Sequence, residues 1–143
     1  MDDDALRPTR GEINRLPCAF ERALCARHAV CELAVHSQAG GRESVACVQP
    51  LARALCAQLV SLLREKSAFT MKLRPAVRSV SPATLMKIQC GGLDGLKAVI
   101  EPAALAPNVR RLVRLAQERY GALAVLPFSE IVQGVAAWKP DGR

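Results

Sequence analysis

Two stretches of the chain carry an apolar stripe at helical spacing, and a polar, glycine-containing break separates them. At 100° per residue, Phe20, Leu24, Cys31 and Val35 share one face of a segment running from about Pro17 to about Ser37. Pro17 suits a first helical position, and Gly40-Gly41 suits an exit. Cys18, Cys25 and His36 lie on a different face of the same segment. The second stretch begins near Pro50 and reaches about Ser67. Its apolar face carries Leu51, Leu55, Cys56, Leu59, Val60, Leu62 and Leu63, and its polar face Arg53, Gln58, Arg64 and Glu65. The connection, about a dozen residues holding Gly40, Gly41, Ser44 and Cys47, is short enough to predict an antiparallel helix hairpin.

The remainder reads as shorter elements. Residues 70–82, with Pro75, Ser79, Ser81 and Pro82, read as a loop. Thr84 to Cys90 alternates like a strand. Yet Ser81-Pro82 and Gly91 fit a cap, a first turn and a C-terminal glycine, and no partner strand is evident, so the pattern predicts a short helix. Leu93 to Ile100 predicts another. Asn108 to Tyr120 predicts a longer one, with Leu112, Val113, Ala116 and Tyr120 on its apolar face, Arg110, Arg111 and Arg114 mostly opposite, and Gly121 at its end. Ser129 to Trp138 predicts the last helix, with Ser129 as N-cap. The expected fold class is mainly α: a small helical domain built on an antiparallel helix hairpin, with shorter helices packed on it. Residues 1–16 form a polar lead-in, 17–139 the single domain and 140–143 a tail.

Composition changes this picture in two respects. Aromatic residues are only 3% of the 143, so the core rests on aliphatic side chains and cysteine. Charges interrupt every apolar run before 18 residues, which excludes a membrane-spanning helix. Met1-Asp2-Asp3-Asp4 lacks the basic and apolar regions of a signal peptide, which predicts a reducing, cytoplasmic location. The net charge of +7 is spread from Arg7 to Arg143 without a basic tract, and reads mostly as solvated helix faces.

The cysteines are the chemistry-bearing feature. Five of the six, Cys18, Cys25, Cys31, Cys47 and Cys56, fall within 39 residues, and Cys90 follows alone. In a reducing compartment such a run points to metal or redox chemistry rather than disulfides. In the expected hairpin Cys31 lies roughly 13 Å from one end of the connection and Cys56 roughly 9 Å from the other. The two come level, and Cys47 lies in the connection between them. Cys18 is the provisional fourth ligand, with Cys25, His28 and Cys90 as the other candidates. Along an unbroken helix Cys18 stands roughly 20 Å from Cys31, so it joins only where the segment from Cys18 to about His28 bends or begins as coil.

Structural zinc sites usually pair cysteines two to four residues apart, and this chain has no CxxC. An iron–sulfur cluster takes four thiolates from scattered positions, so it is the favoured cofactor and zinc the less favoured one. The competing explanation is that Cys31 and Cys56 are buried thiols packing as small hydrophobes.

No catalytic motif emerges. His36 lies on a different face from Cys31, so spacing pairs no base with a thiol. Gly91-Gly92 lacks the Lys and Ser/Thr of a phosphate loop. Leu115-Ala116-Gln117-Glu118-Arg119-Tyr120-Gly121 resembles the first helix and turn of helix-turn-helix DNA-binding proteins, which would imply a recognition helix immediately afterwards. The apolar run Ala122 to Leu126 and Pro127 depart from that pattern.

The functional expectation is a small metal-binding, iron–sulfur protein in electron transfer, sensing or assembly, with Cys18, Cys31, Cys47 and Cys56 as ligands. The alternative is a basic helical module that binds nucleic acid or an acidic protein.

Overall fold

The computed structural model describes residues 16–68 and 80–140. Most of the lead-in, the loop and the tail read from sequence lie outside these residues. The described chain is mainly α-helical, with one small antiparallel sheet.

Helix α1 spans only Glu21–Cys25. It stops where His28 N–H donates to the Ala23 carbonyl (3.0 Å) and Arg27 N–H to the Leu24 carbonyl (3.1 Å). Those two bonds form a Schellman C-cap with Arg27 in the left-handed position, at φ 61°. The helix expected over Pro17–Ser37 therefore ends early, closed by a residue other than glycine.

The chain then enters a β-hairpin, where a longer helix and a loop were expected. Strand β1 spans Ala34–Ala39 and β2 spans Arg42–Cys47. Gly40 and Gly41, at φ 59° and 81°, form the two-residue turn, a conformation that glycine adopts without steric cost. Ala34 pairs with Cys47 at the open end, and Ala39 with Arg42 at the turn. On its other edge β2 receives the Leu16–Cys18 backbone, with Pro17 bridged to Ala46. The helix hairpin is thus replaced by a β-hairpin leading into a single long helix.

That helix, α2, spans Pro50–Ser67, as its periodicity predicts. It buries Ala52, Cys56, Leu59 and Leu63, whereas Leu51, expected on the apolar face, is 78% exposed at the helix start.

Helix α3 spans Pro82–Met86, capped by Ser81, whose Oγ accepts from Thr84 N–H at 3.1 Å. It does not end at Gly91. A π-helical turn, Lys87–Gly91, carries it directly into α4, Gly92–Ile100. Gly91 and Gly95 let α4 cross α6, Phe128–Ala137, at backbone contact. A Cβ on Gly91 would lie 2.6 Å from the Gly134 carbonyl oxygen, and one on Gly95 would run into the carbonyl of Ile131. These glycines serve helix packing, not a helix end.

Helix α5 spans Val109–Tyr120, with Asn108 as N-cap (Oδ1 to Arg111 N–H, 3.1 Å) and Gly121 at φ 88° closing it. A 3-10 turn, Leu123–Val125, leads to α6. That helix begins at Phe128 after Pro127, and Ser129 lies inside its first turn rather than capping it. Phe20, Leu24, Leu59, Leu63, Ile88, Leu93, Leu96, Leu112 and Ile131 fill one core, to which α1, α2, the π-turn, α4, α5 and α6 contribute. Among the described residues no helix is long and apolar enough to cross a membrane.

Candidate metal centre

Four separate segments converge at the open end of the β-hairpin. Cys18 lies on the stretch that pairs with β2: its N–H donates to the Val45 carbonyl (2.9 Å), while Cys47 N–H donates to the Leu16 carbonyl (2.8 Å). Cys47 is the last residue of β2. Cys31 is held by its neighbours. Val30 N–H donates to the Pro107 carbonyl (3.0 Å), Val109 N–H donates back to Val30 (2.8 Å), and Ala34 N–H donates to Cys31 itself (3.2 Å). Cys56 stands in the second turn of α2. Arg53, on the same helix, donates from Nε to the Pro17 carbonyl at 3.0 Å and ties the Cys18 segment to α2.

Cys18, Cys31, Cys47 and Cys56 all line one cavity of about 20 Å³, together with Ala19, Leu33, Ala34, Ala52, Arg53 and Arg110. Cys56 is buried and the other three are half-buried. The segment from Cys18 to His28 does bend, because α1 is a short helix between two non-helical stretches. The other candidates for a fourth ligand lie elsewhere. His28 Nε2 is 2.8 Å from Asp94 Oδ1 and meets the Trp138 ring edge-on. Cys90 is fully buried, its Sγ 3.6 Å from Met86 Sδ. Cys25 lies near Glu43, whose charge adds to burial in raising its thiol pKa.

The electrostatics of the cavity are those of crowded thiols. Burial pushes Cys56 up to about 12, reinforced by Cys18, Cys31 and Cys47 and partly opposed by the Arg110 guanidinium. Burial pushes Cys18 up to about 11, with Cys31, Cys47 and Glu21 adding to it and a hydrogen bond from the Phe20 backbone opposing it. Without a cation these two groups are neutral thiols at pH 7. Among the described residues neither Arg53 nor Arg110 is ion-paired with a carboxylate. The Arg110 charge acts on Cys56, whereas the Arg53 guanidinium is engaged by the Pro17 carbonyl.

Among the described residues, no three His, Cys, Asp or Glu side chains are gathered closely enough to hold a metal ion as they stand. Ligands of one tetrahedral zinc sit about 2.3 Å from it, hence under about 4 Å from one another.

The basic face read from sequence on α5 is largely engaged within the protein. Arg111 Nε donates to Glu101 (2.6 Å), Arg114 to Glu118 (3.1 Å), and Arg119 to the Val99 and Ile100 carbonyls (3.3 and 3.4 Å). Helix α6, in the position of a recognition helix, contains no Lys or Arg. Sequence reasoning missed the contribution of Arg53 and Arg110 to the cavity. Arg53 stands three residues before Cys56, so one helical turn was the available signal; Arg110 carried none. No family model matches the chain, and neither does any curated protein or solved structure.

Proposed function

We propose that this protein holds an iron–sulfur centre through Cys18, Cys31, Cys47 and Cys56 and uses it in electron transfer, sensing or assembly. The observation that carries this reading is the meeting of four cysteines from four chain segments at one cavity walled by two arginines without carboxylate partners. Cys25 and Cys90, by contrast, lie outside this cavity. Zinc is the weaker choice on two grounds. The chain lacks closely spaced cysteine pairs, and among the described residues no three ligating side chains are gathered for a single ion. A cluster brings its own iron and sulfide and takes its thiolates from scattered positions. Arg53 and Arg110 would offset the negative charge of four thiolates.

The test is an ultraviolet–visible spectrum with iron, zinc and sulfide analysis on protein purified without oxygen. Broad absorption near about 400 nm with iron and sulfide in stoichiometric amount is the expected result. Zinc without sulfide would replace the cluster by a structural ion. A folded, metal-free protein, or full metal retention in a Cys31→Ala/Cys56→Ala variant, would overturn the reading.

A further inference from the structure

The two arginines of the cavity wall are held in different ways. Arg53, on α2, directs its Nε–H at the Pro17 carbonyl (3.0 Å) and is tied to the Cys18 segment. Arg110 lies in the first turn of α5. Beside it, Val109 N–H donates to the Val30 carbonyl (2.8 Å), and Val30 N–H donates to the Pro107 carbonyl (3.0 Å). These bonds fix the start of α5 against the stretch that carries Cys31, and so bring Arg110 to the wall.

Helix stability gives no reason for a cation at that place. The N-terminal end of a helix favours acidic side chains and disfavours basic ones. The neighbouring Arg111 offsets this by pairing with Glu101, Nε to Oε2 at 2.6 Å. Among the described residues Arg110 has no carboxylate partner. Its charge falls instead on Cys56, where it favours the thiolate.

We propose that Arg110 sets the reduction potential of the centre, while Arg53 chiefly positions the Cys18 segment; the inference rests on the iron–sulfur reading above and gives the two arginines separate roles. Each electron that enters adds one negative charge to a site already surrounded by thiolates. No bond forms or breaks and no proton moves. A cation at the wall stabilises the reduced form more than the oxidised one, which raises the potential. Ala19, Leu33, Ala34 and Ala52 line the same cavity, and their apolar side chains offer little to screen that charge.

The experiment is a potentiometric titration, with dithionite as reductant, of the anaerobically purified holoprotein and of Arg110→Met, Arg110→Lys, Arg53→Met and Arg111→Met. Arg111→Met removes the same charge from the chain as Arg110→Met, but from a side chain outside the cavity wall. The expected result for Arg110→Met is a shift of the one-electron equilibrium by about tenfold toward the oxidised form, a fall of about 59 mV. Arg110→Lys and Arg111→Met should stay within about twofold of the parent. Arg53→Met should shift the equilibrium less than Arg110→Met does, and release iron to a chelator faster. Several results would overturn the proposal: an unchanged potential in Arg110→Met, or an equal fall in Arg111→Met or Arg53→Met. Loss of the cluster from Arg110→Met would overturn it too, because Arg110 would then hold the centre rather than tune it. Absence of the cluster from the unmodified protein is a distinct outcome: it shows before any variant is made, and it removes the iron–sulfur reading together with this inference.

Discussion

Cys18 and Cys47 are joined through one antiparallel ladder. The Cys18 N–H donates to Val45, and the Cys47 N–H donates to Leu16 across the Pro17–Ala46 bridge. These two sulfurs are therefore positioned by backbone rather than by side-chain packing. Backbone ladders are rigid, and rigid elements hold ligands better than free loops do.

Substitution of the cysteines should divide them into two classes. Cys18→Ala, Cys31→Ala, Cys47→Ala and Cys56→Ala are each expected to lose the absorption near about 400 nm and the bound iron and sulfide. Cys25→Ala and Cys90→Ala are expected to retain both, because neither lines the cavity. Cys90→Ala should still lower stability by about 1 kcal/mol, since the thiol is fully buried against Met86. Iron and sulfide analysis of the six variants separates the classes. Equal loss in all six would mean that the cavity does not define the site.

Stability of the metal-free protein should fall in alkali. The folded state raises Cys18 from 9.0 to about 11 and Cys56 from 9.0 to about 12, chiefly by burial. A raised thiol pKa means that the folded protein holds its proton more tightly than the unfolded chain does. The associated stability is therefore complete below pH 9 and is lost as pH rises toward 11 and 12. Between pH 8 and 10 each thiol should cost about 1 kcal/mol. Urea unfolding of reduced, metal-free protein at the two pH values measures it, and Cys56→Ala should remove part of the difference. Metal uptake has the linked sign: it displaces protons, so affinity rises with pH.

The crossing of α4 and α6 makes a sharper demand on sequence than the cavity does. Gly95→Ala places a methyl group against the Ile131 carbonyl, backbone that cannot turn aside. It should cost about 2–4 kcal/mol or separate the helices. Gly41→Ala meets nothing within 4 Å, so its cost is only that of a left-handed alanine, about 1 kcal/mol. Chemical denaturation of both variants ranks them. A Gly95→Ala protein as stable as the parent would show that the two helices do not cross at backbone contact.

Much of the helical fold was legible, because α2 and α5 carry long apolar stripes with conventional ends: Pro50 opens one, and Asn108 and Gly121 bound the other. The N-terminal third was not. The C-cap of α1 uses Arg27 at φ 61°, where a sequence reading looks for glycine, so the helix reads on through residues that are strand. Gly40-Gly41 is a hairpin signal, but an apolar stripe compatible with a helix outweighed it. The four cysteines singled out from sequence are those that line the cavity, although a β-ladder and two bridges join them rather than facing helices. The π-turn at Lys87–Gly91 left no legible trace, since Ser81 and Gly91 read together as a complete short helix.

That π-turn presents Gln89 to helix α1. Gln89 is 6% exposed, and its Oε1 accepts from Ala23 N–H at 3.2 Å. Ala23 lies in the first turn of α1, where N–H groups have no partner within the helix, and Phe20 at the N-cap supplies no side-chain acceptor. Gln89 thus caps α1 from across the core. A leucine there keeps the volume but leaves a buried N–H unsatisfied, at a cost of about 1–3 kcal/mol. Helix α1 begins three residues after Cys18, so loosening it also loosens the Cys18 segment. Gln89→Leu should therefore unfold at lower urea and release iron to a chelator faster than the parent, whereas Gln89→Glu, which keeps an acceptor at the same place, should hold iron more nearly as the parent does. Chelator-release kinetics followed near about 400 nm decide this. Unchanged release from a clearly destabilised Gln89→Leu protein would show that α1 and the cysteine cavity are not coupled.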